Sequence, residues 1–251
     1  MKKGAIIKTK EQIDGIRESG RVNDAVLDEV ASRIAVGMTT EEINRIVDET
    51  TRKLGGIPAP LNYEGFPKSV CTSINDQVCH GIPSPEVVLR DGDIINVDVT
   101  TIYKGYYADA SRMFLMGNVS PERKRLVEVA KQSIEVGLAE VLPDRHIGDL
   151  GHAINDFARK NGYSVVAEVG GHGVGVEFHE EPFVCYVTKR GTGIYLKPGM
   201  VFTIEPMINM GKRHVVLDEN DWTIWTRDGS DSAQWEVTVA VTEHSYEILA
   251  H

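Results

Sequence analysis

The sequence predicts an α+β fold of two similar halves, with helices covering one side of an antiparallel-rich sheet. Segments with apolar residues at helical spacing alternate with short runs of β-branched and aromatic residues. Two separate blocks also match at a common offset of 107 residues. In one, LRDG at 89–92 and LKPG at 196–199 each precede a strand, and in the other the helical segment 43–55 aligns with 150–162. We therefore predict one domain over residues 1–251, with an internal repeat of approximately 9–115 and 120–246 about a pseudo-two-fold axis.

Four helices are predicted from start signals followed by apolar spacing. Thr9 and Gln12 have capping-box form and open the first helix. The sequence TTEE at 39–42 opens a second helix, which ends near the glycines at 55–56. Ser120 followed by Pro121 starts a third helix, because proline is favoured at the first helical position. The fourth helix is predicted at 149–161.

The remaining segments predict strands and turns. A proline-rich link at 57–60 leads into turn residues and short apolar runs that end at His80. The clearest strand pair lies at 93–114, with a turn at 103–105. The chain beyond Tyr163 is strand-like with glycine-rich turns, and it ends in the run 235–246, where valines recur with period two.

Asp98 and Asp109 lie in the two arms of the predicted hairpin. A hairpin folded symmetrically about the Tyr103/Lys104 junction places the two carboxylates opposite one another on one face. Facing like charges are destabilising, so a cation is expected between them. A metal ion is one candidate, and a displaced proton or a neighbouring lysine would also serve.

Composition limits the classes of protein to consider. A formal net charge of −10 argues against a general nucleic-acid binder, which needs an excess of lysine and arginine. No apolar run approaches the length of a signal-peptide core or of a membrane span. The odd set of Cys71, Cys79 and Cys185 suits a reducing compartment, and we expect a cytoplasmic protein.

Further candidate ligands come from the second half of the chain. His172 is flanked by glycines, while Glu205 and Glu236 interrupt apolar strands. Each alone is more often a loop histidine or a salt-bridged acid, but together with the two aspartates they are best explained by coordinated burial. Hard oxygen ligands suit Mn, Fe(II), Co or Mg, and four carboxylates favour two ions that bridge a water for hydrolysis.

Five motifs occur in the order KSVCTSINDQVCHGIP, INVDVTTIYKGYYADASRMF, GGHGVGVEFHEEP, FTIEP and SAQWEVT. In this order they resemble the motifs of type I methionine aminopeptidases of the pita-bread, creatinase-like family, and the resemblance covers nearly the whole chain. It implies a pita-bread fold with the metal site at its centre. It also implies removal of the N-terminal, initiator methionine by a hydroxide that bridges two divalent ions, with Co, Mn or Fe(II) preferred and Zn or Ni as alternatives.

The resemblance also assigns roles to residues. The implied metal ligands are Asp98, Asp109, His172, Glu205 and Glu236, with Asp109 and Glu236 bridging the ions. The implied catalytic residues are His80, His179 and Glu205, of which Glu205 handles the proton of the attacking water. The implied substrate-binding residues are Tyr63, Phe66, Cys71, His80, Phe178, His179 and Trp222. An aromatic, sulfur-lined slot suits a flexible thioether independently of the resemblance.

The resemblance further implies particular partners and a short form of the enzyme. Expected partners are nascent polypeptides and short peptides that begin with methionine, with transient ribosome association, a monomeric state, and no membrane or specific nucleic acid. Only 25 residues separate His179 from Glu205, too few for the type II insertion, and no amino-terminal extension is expected. Val176, Glu177 and Val237 depart from the family pattern and bear on the charge at the pocket rim. The alternatives are a prolidase-like peptidase and a non-enzymatic binding protein.

Overall fold

The computed structural model describes residues 5–251, so the first four residues of the predicted domain lie outside the described chain. This part of the chain contains α-helices and antiparallel strands, as predicted. The helices are α1 (Lys10–Arg33), α2 (Thr40–Lys53), α3 (Pro121–Leu138) and α4 (Ile147–Lys160). Within residues 5–251 no helix is long and apolar enough to cross a membrane.

The helix starts follow from side-chain caps. Capping boxes at Thr9 and Thr39 begin α1 and α2, and the Ser120 hydroxyl accepts the Arg123 amide at the start of α3, which confirms three predicted starts. The predicted start of α4 at Asp149 is wrong by two residues. The Asp149 carboxylate accepts the amide of His146, so it caps a helix that has already begun.

Most strands are short, and only the fourth and fifth in the described chain reach ten residues. A 3-10 helix at Tyr63–Gly65 precedes the second strand. They are β1 (Ile57–Pro58), β2 (Cys71–Ile74), β3 (Gln77–Cys79), β4 (Ile94–Tyr103), β5 (Tyr106–Leu115), β6 (Ser164–Val165), β7 (Gly171–Gly173), β8 (Glu180–Val184), β9 (Val201–Ile204), β10 (Met207–Asn209), β11 (Val215–Leu217), β12 (Ile224–Thr226), β13 (Ser232–Gln234), β14 (Val237–Val241) and β15 (Tyr246–Ala250). The predicted strand run 235–246 therefore splits into β14, a turn, and the start of β15.

The strand pairings in the described chain are antiparallel and form four sheets. The largest has the order β15-β14-β9-β7-β8, and a four-stranded sheet joins β1, β4 and β2 with β5 paired to β4. An isolated bridge between Ser111 and Glu236 connects β5 to the residue before β14. This bridge brings the sheet of the first half against the sheet of the second half.

The register of the β4/β5 hairpin differs from the prediction. The turn is the two-residue Lys104–Gly105, both at positive φ, so Tyr103 pairs with Tyr106 and Asp98 pairs with Ser111. Asp109 lies opposite Thr100. The predicted direct Asp98/Asp109 pair is thus wrong by two residues. Because a shift of two preserves the side-chain face, both carboxylates still point to the same side.

Two main clusters of buried apolar residues form the core. One packs α1 and α2 against β4 and β5, through residues such as Leu27, Ile43 and Val97. The other packs α3 and α4 against the five-stranded sheet, through residues such as Leu126 and Phe202. The helices cover these sheets and leave the carboxylate-bearing faces towards the centre. The internal repeat about a pseudo-two-fold axis stays a prediction.

Candidate metal centre and substrate cavity

A cavity of about 600 Å³ opens where the two main sheets meet. Every site residue predicted from the sequence lines it. These residues are Tyr63, Phe66, Cys71, His80, Asp98, Asp109, His172, Phe178, His179, Glu205, Trp222 and Glu236. The chain brings them together from segments that span more than half of its length.

The β4/β5 hairpin supplies two carboxyl groups from the cavity floor. Asp109 is 4% exposed, and its side chain is in hydrogen-bond contact with that of Asp98. The Thr100 hydroxyl donates to Asp109 Oδ1 at 2.8 Å. Thr238 fixes the backbone of Asp109, since its hydroxyl donates to the Asp109 carbonyl at 2.7 Å. The position of Asp109 is therefore set on both its main chain and its side chain.

The second half supplies three more groups from the opposite side. One potential ligand atom from each of Asp109, His172 and Glu236 lies within 4.8 Å of the other two. His172 Nε2 is 3.5 Å from Glu205 Oε1 and 3.6 Å from Asp109 Oδ2. The Glu205 carboxyl also contacts that of Glu236. Five ionisable groups thus meet in one small volume.

The electrostatics of these carboxyl groups favour either bound protons or a bound cation. Burial raises the pKa of Asp98 to about 7 and that of Glu205 to about 8. Burial, followed by repulsion from neighbouring carboxylates, also raises the pKa of Asp109 and Glu236 well above the ordinary range. No lysine or arginine is among the described residues that line the cavity. Four buried acids without a basic partner are stable as anions only beside bound cations.

The orientation of His172 fits the coordination of a metal ion. Its Nδ1 lies 3.0 Å from the Gly173 carbonyl, which can only accept, so the Nδ1 proton is donated there. Nε2 is then unprotonated and directs its lone pair towards Asp109 and Glu205. Burial, with a smaller effect of His179, lowers the pKa of His172 to about 3, which keeps the imidazole neutral. Metal-bound histidines typically have this tautomer and donate their other ring N–H to a backbone carbonyl in this way.

Aromatic residues form the wall beside the carboxyl cluster. The Phe66 and Trp222 rings meet edge to face at 5.1 Å, and Tyr63 lies 4.7 Å from Phe178 between ring centroids. The Cys71 thiol is buried next to Asp98, and burial raises its pKa well above the ordinary range, so it stays neutral. The wall therefore offers an apolar slot next to a highly charged centre.

Two histidines lie between the apolar slot and the carboxyl cluster. Burial, followed by the effect of His179, lowers the pKa of His80 to about 4, so its ring is neutral near pH 7. His80 adopts a left-handed backbone conformation with φ of 55°, a strained geometry for a residue with a side chain. His179 Nδ1 lies 2.9 Å from the Tyr63 hydroxyl, and its ring centroid is 4.2 Å from that of His172.

Sequence reasoning missed the hydroxyl and amide groups that hold the acids. Thr203 donates to Glu205 Oε1 at 2.6 Å, and Gln234 Nε2 donates to Glu205 Oε2 at 3.1 Å. The Tyr186 hydroxyl accepts the Glu205 amide at 2.7 Å. The alternation of side chains along a strand could have identified the threonines. Thr100 follows Asp98 by two residues and Thr203 precedes Glu205 by two, so each threonine points to the same side as its acid. No local signal marks Tyr186.

The sheet arrangement and the carboxyl cluster are those of a metal-dependent peptidase. The chain belongs to metallopeptidase family M24, which it matches over residues 14–243, and its fold is the pita-bread fold expected from the resemblance. The chain is 47% identical over 241 residues to methionine aminopeptidase A of Synechocystis sp., an alignment that covers 96% of this chain and 95% of the relative.

Solved structures agree with this assignment. The methionine aminopeptidase of Rickettsia prowazekii superposes with a TM-score of 0.96 at 42% identity, covering 98% of this chain and 100% of that chain. Prolidase from Pyrococcus furiosus shares the fold alone, with a TM-score of 0.78 at 22% identity over 98% of this chain and 66% of that chain. Membership of the family also establishes the use of a divalent metal.

Proposed function

We propose that the protein is an aminopeptidase that removes the initiator methionine from proteins and peptides. The observation that carries this proposal is the position of the His172 Nε2 lone pair, between Asp109 and Glu205 and beside an aromatic slot. The names of the relatives at more than 40% identity support the same substrate. A charged hydrolytic centre next to a pocket for one apolar side chain suits an exopeptidase.

The residues that would hold the metal are those with raised carboxyl pKa values and the neutral imidazole. They would be Asp98, Asp109, His172, Glu205 and Glu236, and Asp109 and Glu236 would serve both ions if two are bound. The mostly oxygen donor set supports Co, Mn or Fe(II), with Zn or Ni as alternatives. When bound, divalent ions lower the pKa of a water and polarise a substrate carbonyl.

The protein residues then bind the substrate and move protons. Glu205 would accept the proton of the attacking water, and the hydrogen bonds from Thr203 and Gln234 hold its carboxyl group in place. The Tyr63 hydroxyl can donate to His179 Nδ1, which leaves a proton on His179 Nε2 for donation to the substrate. Neutral His80 supplies a second donor to the scissile peptide. Each such donor is worth roughly 2.7–4 kcal/mol of the barrier if it binds a developing oxyanion.

The aromatic wall is proposed to bind the methionine side chain. Tyr63, Phe66, Cys71, Phe178 and Trp222 line the cavity with ring faces, ring edges and one sulfur. A thioether makes favourable contacts with aromatic rings worth about 0.3–1.5 kcal/mol each. We further propose a cytoplasmic monomer that acts on nascent chains and short peptides and associates transiently with ribosomes, as in the family it resembles.

Release of free methionine from defined peptides tests the proposed function. Purified protein is stripped of metal, reloaded with Mn²⁺, Co²⁺ or Fe²⁺, and incubated with Met-Ala-Ser and Met-Gly-Met-Met. We expect free methionine with at least one metal, and none from an Xaa-Pro dipeptide that begins with another residue. The Asp109→Asn protein should bind less metal and lose cleavage. Asp156→Asn is the matched control, because this half-exposed acid of α4 pairs with Lys160 and does not line the cavity. Absence of methionine release with every metal would refute the proposal.

A further inference from the structure

A buried ion pair lies next to the cavity and takes no part in the chemistry described so far. Lys8 Nζ is 2.5 Å from Glu180 Oε2, and the two side chains are 0% and 1% exposed. Burial lowers the pKa of Lys8, and the contact with Glu180 opposes that effect. Such a pair persists in a protein interior only when its remaining polar atoms are satisfied.

The second oxygen of Glu180 holds the loop that precedes it. This loop, residues 174–179, joins β7 to β8 and is called the His179 loop below. Glu180 Oε1 accepts the amide of Val176 at 2.7 Å and the amide of Glu177 at 2.8 Å. One carboxylate thus connects the ammonium of Lys8 to two backbone donors in the middle of the loop.

Lys8 lies under the His179 loop and is itself fixed. A side chain at Gly175, where φ is +131°, would meet Ile16 and would lie 3.5 Å from Lys8 Cε, so the loop packs directly on the lysine stem. The Lys8 amide donates to the Gly199 carbonyl at 2.8 Å, and Ile7 forms a bridge with Met200. The ammonium therefore has a defined position relative to β9, which leads to Glu205.

The His179 loop presents two cavity residues at its end. Phe178 and His179 both line the cavity, and they immediately precede Glu180 in the chain. Phe178 stacks on Tyr107 at 6.0 Å, and His179 packs on His172 at 4.2 Å between ring centroids. Any rotation of the loop would move the imidazole relative to the metal centre.

We propose that Lys8 is a positioning residue that acts through Glu180 to hold His179 and Phe178 in their working orientation. The inference rests on the proposed function for its kinetic consequence. Without the ammonium, the Glu180 carboxylate is a buried, uncompensated charge that must take up a proton or turn towards water. Either change weakens its acceptance of the Val176 and Glu177 amides, and the His179 loop becomes loose.

Kinetics of Lys8→Met test the positioning role. Loss of loop geometry should reduce kcat/KM for Met-Ala-Ser on the order of 10- to 100-fold, the range expected for a misplaced catalytic group. Metal content should equal that of the wild type, because the ion pair and backbone hydrogen bond of Lys8 go to Glu180 and Gly199, which are not among the proposed metal ligands. Lys10→Met, an exposed lysine at the start of α1, is the matched control and should behave as wild type.

A second variant distinguishes positioning from simple loss of stability. In Lys8→Met/Glu180→Gln the glutamine oxygen still accepts the two amides, and no charge is buried. We expect this double variant to recover most of the activity lost in Lys8→Met. If Lys8 contributed only to stability, Lys8→Met would have wild-type activity when assayed well below its unfolding temperature. That result would overturn the proposal.

Hydrogen exchange of the loop gives a readout that needs no peptidase activity. The amides of Val176 and Glu177 should exchange at least tenfold faster in Lys8→Met, while the amides of α3 remain as protected as in the wild type. Unchanged exchange in the His179 loop would overturn the inference. If the wild-type protein cleaved no methionine peptide, the proposed function would fail, and the exchange data would still decide whether Lys8 holds the loop.

Discussion

The Thr203 hydroxyl donates to Glu205 Oε1 at 2.6 Å and accepts the backbone amide of His172 at 2.9 Å. One buried hydroxyl thus links two residues of the proposed metal centre, His172 on β7 and Glu205, which directly follows β9. Because both partners depend on it, Thr203 fixes the distance between the imidazole and the carboxylate. This contact is the basis of the first prediction.

Thr203→Val should weaken metal binding while leaving the fold intact. Valine has a similar shape but leaves the His172 amide and one Glu205 oxygen without a partner. Loss of such an outer contact typically costs roughly 10- to 100-fold in metal affinity. Titration of the metal-free protein measures the effect, and Thr203→Ser, which keeps the hydroxyl, is the matched control. Equal affinity of the valine and serine variants would contradict the prediction.

The stability of the metal-free protein should fall as pH rises from about 6.5 to about 8. Burial raises the folded-state pKa of Asp98 to about 7 and of Glu205 to about 8, whereas both are near 4 in the unfolded chain. The folded protein therefore retains protons that the unfolded chain releases, and the stabilisation from these protons is lost as pH rises towards about 8. Below about pH 6.5 the buried neutral rings of His80 and His172, whose pKa values are lowered to about 4 and about 3, have the opposite effect, so the fall is expected above that pH.

Bound metal should reverse this pH dependence. Divalent ions replace the protons, so the stabilisation by metal grows as pH rises and the ligands deprotonate. Urea unfolding of chelator-treated and metal-loaded protein across the neutral range measures both free energies of unfolding. Identical slopes against pH for the two forms would show that these carboxyl groups do not bind the metal.

Tyr63→Phe should lower kcat more than it changes KM. The substitution keeps the ring against Phe178 but removes the hydroxyl that lies 2.9 Å from His179 Nδ1. Without it, His179 no longer has a fixed tautomer, and the loss of one such hydrogen bond costs roughly 2- to 10-fold. Steady-state cleavage of Met-Ala-Ser tests this, with Tyr195→Phe at an exposed site outside the cavity lining as control. A pure KM effect would assign Tyr63 to substrate binding alone.

Gly20→Ala should destabilise the protein without affecting metal affinity. A Cβ at Gly20 would lie 1.7 Å from the Leu249 carbonyl oxygen, so α1 and β15 would have to separate. Overpacking of this kind costs about 1–3 kcal/mol in the free energy of unfolding. Arg21→Ala on the exposed side of α1 is the control and should unfold at the wild-type urea concentration. Wild-type stability of Gly20→Ala would mean that the backbones adjust without cost.

Local sequence signals were sufficient for the α+β class, three helix starts and the side-chain face of the hairpin. The capping residues Thr9, Thr39 and Ser120 act within one helical turn, so they can be identified without tertiary information. The hairpin register could not be derived in this way. The centre of the turn lies after Lys104 because Lys104 adopts a left-handed backbone conformation. This conformation is unusual for a residue other than glycine, and the sequence did not indicate it.

The sequence by itself determined which residue types could bind a metal, because carboxylates inside apolar strands cannot be buried without compensation. Only the tertiary structure decided the distances between the side chains of these residues. The Ser111–Glu236 bridge brings the two halves together, and the Gly173 carbonyl turns His172 Nε2 towards Asp109 and Glu205. Likewise, nothing local connects Lys8 with Glu180. Contacts between residues so distant in the chain arise from packing of whole sheets and segments, and that packing has no signature in a local pattern.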